Sequence, residues 1–228
     1  MPDIEPLVEE ARDLLVTSSP LGRQDRFLFD HSVRVMRVAE RLSRCREVRS
    51  WRIDRFALQA AALFHQAATV RLEEERRTST VYAAATMSAE DVKEYSAELA
   101  GDRLRGRVPQ GQLSRIQEII RRAHDAGIEL AEARILSDAD SLDDIGALGV
   151  WRQMRRYVLQ GRAVDDAVRA WQRREEYGYW EARLQEAFHL ATARRLAERR
   201  LATARRFKEQ LAVECEARDL AEVEEGAS

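Results

Sequence analysis

Residues 56–65 read FALQAAALFH, a run that is apolar on almost every side. Asp54 stands just before the run and is a favourable N-cap residue, so the sequence predicts a helix that begins here. A helix that is hydrophobic all round belongs in the centre of a fold rather than on its surface. The sequence therefore predicts a buried core helix with His65 at its end.

Amphipathic segments flank this core helix on both sides. Ser88 and Asp91 form a capping box that opens a further helix, and the helical pattern of residues 130–161 has a break at Gly146 and Gly149. Apolar residues recur at helical spacing in residues 4–15, 25–44, 113–123 and 165–177, and on one face of the last segment at Ala193, Ala197, Leu201, Ala204, Phe207 and Leu211.

The chain has 10 glycines, 4 prolines and few β-branched runs, so the turn residues that separate many short strands are scarce. We therefore expect an all-α protein: one compact helical bundle over residues 1–220 with a long C-terminal helix. Residues 221–228 are acidic and small and are expected to form a loose tail.

Composition narrows the classes of function. With 228 residues, 45% hydrophobic and 34% charged, the chain can bury a core, and no stretch approaches the ~20 apolar residues that a bilayer helix needs. The net charge of −2 argues against a dedicated nucleic-acid binder. Cys45 and Cys215 lie far apart, and the first residues lack the layout of a signal peptide, so we expect a cytoplasmic location with no membrane partner.

Three histidines lie at or beside the most apolar helices: His31, His65 and His124. An unpaired buried imidazole is unfavourable, so each needs a partner, and a hydrogen-bonded core histidine is the simplest interpretation of each one alone. An acidic cluster at residues 138–144 supplies carboxylates. Imidazole and carboxylate groups on separate helices of a bundle can instead meet at one Fe, Mn, Ni, Co or Zn ion.

Several segments resemble the HD superfamily of metal-dependent phosphohydrolases, whose pattern is a histidine, a His-Asp pair and a distant aspartate. FDHSVRVMRVAERL (29–42) resembles the segment with the first histidine, AALFHQ (61–66) the segment with the pair, and ILSDADSLDDIGALGV (135–150) the segment with the last aspartate. IIRRAHDAG (119–127) and residues 179–211 resemble the extra histidine and the closing helices of one bacterial branch.

The resemblance implies a buried divalent metal ion (Fe, Mn, Ni, Co, Zn or Mg) and hydrolysis of a small phosphate ester or nucleotide through a metal-activated water. The implied metal ligands are His31, His65, Gln66 and Asp140, with Asp138 as the alternative aspartate. Asp140, His124 and Glu73 are the candidate catalytic groups.

Three arginines near these positions could bind the phosphate of a substrate through bidentate guanidinium contacts: Arg34, Arg121 and Arg122. All but two of the 38 basic residues are arginine, so a solvated arginine is the simpler interpretation of each.

Gln66 departs from the family pattern, because an aspartate is expected after His65. Glutamine offers a neutral oxygen that adds no charge to hold a cation and cannot act as a base. His31, His65 and Asp140 still have the composition of a two-histidine, one-carboxylate site. Two hypotheses follow: a phosphohydrolase with a weakened site, or a catalytically inactive HD-fold protein that serves as a ligand-binding or partner-binding module.

Overall fold

The structure is a computed structural model that describes residues 3–18, 22–70 and 88–220. Within these ranges nearly all regular structure is helical, and the all-α prediction is confirmed. Two short antiparallel strands, β1 (Thr17–Ser18) and β2 (Gln24–Asp25), precede the second helix. Ten α-helices have both ends within the described residues, and residues 67–70 are also helical. The ten are α1 (Glu5–Leu15), α2 (Phe27–Leu42), α3 (Arg55–Phe64), α4 (Ala89–Leu104), α5 (Gln110–Arg122), α6 (Ala131–Asp143), α7 (Ala147–Leu159), α8 (Val164–Glu176), α9 (Tyr179–Glu186) and α10 (Ala191–Cys215).

The chain divides within α6 into two compact units, one up to Asp140 and one from Ser141 onward. Helices α1 to α5 and most of α6 belong to the first unit, and α7 to α10 belong to the second. The single domain over residues 1–220 stays a prediction. The tail predicted at 221–228 lies outside the described residues.

Helix α3 is the centre of the first unit, as its sequence predicts. Every residue from Phe56 to Phe64 is buried, and α3 packs against α2 and α5. The helix begins where expected, because the Asp54 side chain accepts a hydrogen bond from the Ala57 backbone N–H at 3.0 Å. His65 follows the last helical residue and is itself buried.

A buried carboxylate, Glu132, ties α6 to two other elements of the first unit. Its side chain is 1% exposed and accepts hydrogen bonds from the backbone N–H of Asp54 at 2.8 Å and from Nη2 of Arg115 on α5 at 2.9 Å. A buried carboxylate needs such partners. The contacts fix α6, and therefore the residues near its C-terminal end, relative to α3.

In the second unit the helical pattern of residues 130–161 is broken at the glycines, as expected. Gly146 precedes α7 with a φ of 87°, a conformation that favours glycine. Gly149 lies within the first turn of α7, and a Cβ there would lie 2.1 Å from the carbonyl oxygen of Asp144. The end of α6 and the start of α7 can approach this closely only because residue 149 has no side chain.

Helix α10 is long, as predicted, with Ala193, Ala197, Leu201 and Ala204 buried on one face. The prediction that Phe207 continues this face is wrong, because Phe207 is 51% exposed and Lys208 is buried instead. Buried residues on one face of a helix are separated by three or four positions, and here the buried residue that follows Ala204 is Lys208, four positions later. No helix among the described residues is both long and apolar enough to cross a bilayer, α10 included.

Candidate metal centre

Three of the predicted ligands meet in the first unit: His31 on α2, His65 just after α3, and Asp140 on α6. Asp140 Oδ1 lies 3.3 Å from His31 Nε2 and 3.4 Å from His65 Nε2. The three candidate ligand atoms all lie within 4.8 Å of one another. The apolar faces of three separate helices therefore bring two imidazoles and a carboxylate to one point.

The proton on His65 is fixed by the backbone of its own helix. Its Nδ1 lies 2.8 Å from the Ala62 carbonyl oxygen, which can only accept, so Nδ1 carries the proton. Burial lowers the pKa of His65, although Asp140 opposes this effect, and the ring is therefore neutral at neutral pH. Nε2 then holds a lone pair, is buried, and has no hydrogen-bond partner among the described residues.

This geometry fits a divalent cation. Nitrogen and oxygen ligands about 2.0–2.2 Å from one ion lie about 2.8–3.6 Å from each other in tetrahedral or octahedral arrangements. The distances from Asp140 Oδ1 to the two histidine nitrogens, 3.3 and 3.4 Å, fall in this range. The lone pair of His65 faces an anionic oxygen, and a cation between the two atoms would turn their repulsion into attraction.

Asp140 stays ionised at this point. Burial alone raises the pKa of Asp140, but the hydrogen bonds from His124 and His31 outweigh burial and hold the pKa well below its ordinary value. Its second oxygen, Oδ2, accepts from Nε2 of His124 at 3.0 Å. The carboxylate thus faces the His31–His65 pair with one oxygen and His124 with the other.

His124 lies just beyond α5, which ends two residues earlier at Arg122. Its φ of 63° is unusual for a residue with a side chain. The backbone N–H of His124 donates to Ser137 Oγ at 2.9 Å, and Ser137 donates in turn to the Ala133 carbonyl at 2.7 Å. Helix α6 therefore holds both Asp140 and the turn that carries His124.

Sequence reasoning missed Ser137 as a positioning residue for His124. The available signal is its place three residues before Asp140, which puts the two side chains on neighbouring parts of one helix face. The alternative ligand Asp138 is buried on the same helix but is not part of the cluster with His31 and His65. A separation of two residues points two helical side chains in different directions.

Gln66 is half-buried next to His65. Its Oε1 accepts a hydrogen bond from Thr69 Oγ1 at 2.8 Å. The amide oxygen is therefore held by the turn that follows α3. Its role as a metal ligand stays a prediction.

The predicted phosphate-binding arginines occupy different settings. Arg34 lies half-buried on α2, three residues after His31. Arg121 donates from Nε to Glu94 at 2.8 Å, and the long side chain of Arg122 is 64% exposed. Glu73, the candidate catalytic carboxylate, lies outside the described residues. Contact of these four residues with a substrate stays a prediction.

Comparison with known proteins identifies the family of this chain. The HD domain model matches residues 28–145, more than half of the chain, and the protein belongs to the HD domain family. Among curated proteins, none matches this chain.

Solved structures with the same fold include YpgQ of Bacillus subtilis, with 19% identity over 91% of this chain and 92% of that one and a TM-score of 0.58. YpgQ in complex with ADP has 20% identity, covers 92% and 96%, and has a TM-score of 0.57. An HD-superfamily hydrolase of Bacillus thuringiensis has 20% identity, covers 94% and 97%, and has a TM-score of 0.58.

Proposed function

We propose that this protein is a metal-dependent phosphohydrolase that acts on a small phosphate ester or nucleotide, with His31, His65 and Asp140 as the metal ligands. The observation that carries the proposal is the unpartnered lone pair of buried His65 Nε2, 3.4 Å from an ionised carboxylate oxygen. A purely structural histidine is expected to satisfy both ring nitrogens.

The ligand set fits the chemistry of phosphate hydrolysis. A divalent cation held by these residues supplies Lewis acidity toward a phosphoryl oxygen and a source of hydroxide at neutral pH. The chain contributes the orientation of the ligands: the Ala62 carbonyl fixes the His65 ring, and His124 fixes Asp140. Outer partners of this kind hold the ligands in place and tune the affinity for the ion.

His124 is the proposed proton carrier of the site. Its side chain is 43% exposed, whereas those of His31 and His65 are 1% and 5% exposed, so His124 alone of these three reaches solvent widely. Its Nε2 bonds to the same carboxylate that faces the two buried histidines. Imidazole is well suited to give a proton to a leaving oxygen near neutral pH.

The substrate class rests on two supports. The family implies a phosphate substrate, and the solved structure of YpgQ in complex with ADP places a nucleotide on a protein of the same fold. Arg34 is the arginine we propose to contact the phosphate, because it lies on α2 three residues after His31 and therefore on a neighbouring part of the same helix face.

A second candidate function is favoured by Gln66. Its neutral oxygen replaces a carboxylate, and its hydrogen bond to Thr69 commits one of its lone pairs. A protein with one anionic group fewer at the site could keep the fold and bind a ligand or a partner without hydrolysis.

Metal analysis and a phosphatase screen separate the two candidates. Protein purified without chelators is assayed for metal content, then for phosphate release from esters and nucleotides with Mn, Co, Ni, Fe, Zn or Mg. The enzyme proposal expects near-stoichiometric metal and turnover with at least one ion. Metal without turnover on any substrate supports the binding module, and a protein that binds no ion at all contradicts the metal-centre assignment.

Substitutions of the proposed metal ligands test where the ion binds. We expect His65→Ala and Asp140→Asn to weaken metal affinity by more than the ~10–100-fold loss typical of an outer partner. His189→Ala is the matched control, because His189 is exposed and lies outside the cluster. Equal metal affinity in all three variants would place the ion elsewhere.

A further inference from the structure

A polar cavity lies wholly within the second unit, between α7, α8, α9 and α10. Its volume is about 150 Å³. Four arginines from three helices line it, together with two tryptophans: Arg152, Arg156, Arg174, Arg183, Trp171 and Trp180. Among the described residues that line the cavity, Asp144 is the single carboxylate. We call this space the arginine cavity.

The carboxylates near the arginine cavity are already paired with two of its arginines. Arg152 contacts Asp143 at 2.8 Å and Asp144 at 3.1 Å, and Arg183 contacts Asp144 at 3.4 Å. These pairs leave two guanidinium groups of the wall, on Arg156 and Arg174, without an ion pair to any described residue. The wall therefore carries an excess of positive charge.

Arg174 lies over aromatic rings rather than beside an anion. Its guanidinium carbon is 5.4 Å from the ring centre of Tyr179 and 5.9 Å from that of Trp180. The buried ammonium of Lys208 lies 5.7 Å from the ring centre of Trp171 and has no hydrogen-bond partner among the described residues. Arg174 and Lys208 thus contact this aromatic cluster and form no ion pair with a carboxylate among the described residues.

Two side chains that line the arginine cavity have a buried N–H donor without an acceptor among the described residues. Trp180 Nε1 and Arg183 Nε are both buried and have no acceptor in the described part of the chain. A buried donor that is left without an acceptor destabilises a fold. A bound group with several acceptor oxygens and a negative charge would satisfy the donors and the cations together.

We propose that the arginine cavity binds a small tetrahedral oxyanion of the phosphate type. Guanidinium groups recognise phosphate through paired N–H donors, and an indole N–H adds a neutral donor. The volume of about 150 Å³ is below the ~300–1,000 Å³ of pockets for drug-sized ligands, so the cavity suits an isolated oxyanion.

The test is calorimetric titration of inorganic phosphate into the full chain after treatment with a chelator, at constant ionic strength. Removing metal keeps phosphate from binding through an ion at the histidine cluster. We expect saturable binding to the wild type and a ~10–100-fold weaker affinity in Arg174→Gln, the range for a lost charge-assisted hydrogen bond. The matched control is Arg173→Gln, because Arg173 is exposed and does not line the cavity.

Two further variants test other donors of the cavity wall. Trp180→Phe removes the N–H and keeps a ring, so phosphate affinity should fall by a smaller factor, about two- to tenfold. Arg156→Gln replaces an exposed residue and serves if Arg174→Gln does not fold. Absence of phosphate binding in the folded wild type would overturn the proposal, as would affinity that is unchanged in both Arg174→Gln and Arg156→Gln or that falls equally in Arg173→Gln.

Discussion

Asp140 shows how a single residue divides its two oxygens between different tasks. Oδ1 faces the buried nitrogens of His31 and His65, and Oδ2 accepts from the exposed His124. Ionisation is maintained because the hydrogen bonds from His124 and His31 outweigh burial in setting the pKa of Asp140. The proposed metal side and the proposed proton-transfer side of the site are thus connected through one carboxylate.

Gln66 is the residue whose change should alter the site most simply. Gln66→Asp adds a negative charge beside His65 and should raise the affinity for a divalent ion by ~10–100-fold, the usual size of effects from groups that support a ligand. Metal titration measures the change, and phosphate release under the same conditions shows whether hydrolysis increases with it.

The matched control for this change is Gln66→Asn, which shortens the side chain equally and adds no charge. If Asn and Asp at residue 66 raise metal affinity equally, length rather than charge governs the site. If neither variant changes affinity while both fold, Gln66 does not face the ion, and the inactive binding module becomes the better description.

At the scale of elements, the junction between α6 and α7 depends on a missing side chain. A Cβ at residue 149 would lie 2.1 Å from the Asp144 carbonyl oxygen, a backbone atom that cannot move aside easily. We expect Gly149→Ala to destabilise the protein by about 1–3 kcal/mol, as overpacking does. Urea denaturation measures the loss.

Gly111→Ala is the control for that substitution. Gly111 also lies near the start of a helix, α5, and nothing approaches its Cβ position within 4 Å. Alanine favours helix over glycine by up to ~1 kcal/mol, so this variant should be neutral or slightly stabilising. Equal destabilisation by both alanines would show that close packing at Gly149 is not the cause.

Lys208 on α10 predicts a pH dependence. Burial, with Arg174 nearby, lowers the pKa of Lys208 from 10.5 to about 8. Between pH 8 and 10.5 the unfolded chain therefore binds more protons at this residue, and its contribution to stability rises with pH through that window. Below pH 8 the charged ammonium stays buried, and its unfavourable effect is fully present.

Lys208→Met should therefore stabilise the protein at pH 7 by about 1–2 kcal/mol, and the gain should shrink at pH 10. Denaturant titrations at the two pH values measure this difference. Lys93→Met is the control, because Lys93 is the other lysine of the chain and pairs with Asp125 and Glu90. Its removal should destabilise the protein, and a Lys208 variant that does the same would refute a net unfavourable charge.

At the scale of the molecule, a bound metal should stabilise the fold, because its three proposed ligands come from α2, the end of α3 and α6 and are brought together only by folding. At a free ion concentration 100 times the dissociation constant, the stabilisation is about 2.7 kcal/mol. Thermal unfolding with Mn, Co, Ni or Zn should show a rise in Tm that is absent in His65→Ala. A rise that persists in His65→Ala would assign the ion to another site.

The sequence predicted most of the helices, because their signals are local. Apolar spacing, the Asp54 cap and the Ser88–Asp91 capping box act within a few residues, and all three appear in the structure. The boundary at Arg122 was less predictable, since His124 adopts a left-handed conformation that a hydrogen bond to Ser137 on another helix supports. Either Phe207 or Lys208 could continue the buried face of α10 at helical spacing, and which of the two is buried depends on neighbours that are distant in sequence.

The sequence by itself determined the helical class, the buried character of α3 and the residue types available for a metal site. These features depend on apolar spacing and side-chain chemistry within a few neighbouring residues. Only the tertiary structure decided that Asp140, rather than Asp138, meets His31 and His65. Only the tertiary structure could likewise bring four arginines of three helices around the arginine cavity, in whose wall Trp180 and Arg183 each have a buried donor without an acceptor among the described residues. The physical reason is that side-chain direction depends on helix rotation and packing, which distant residues such as Glu132 fix through contacts across the fold.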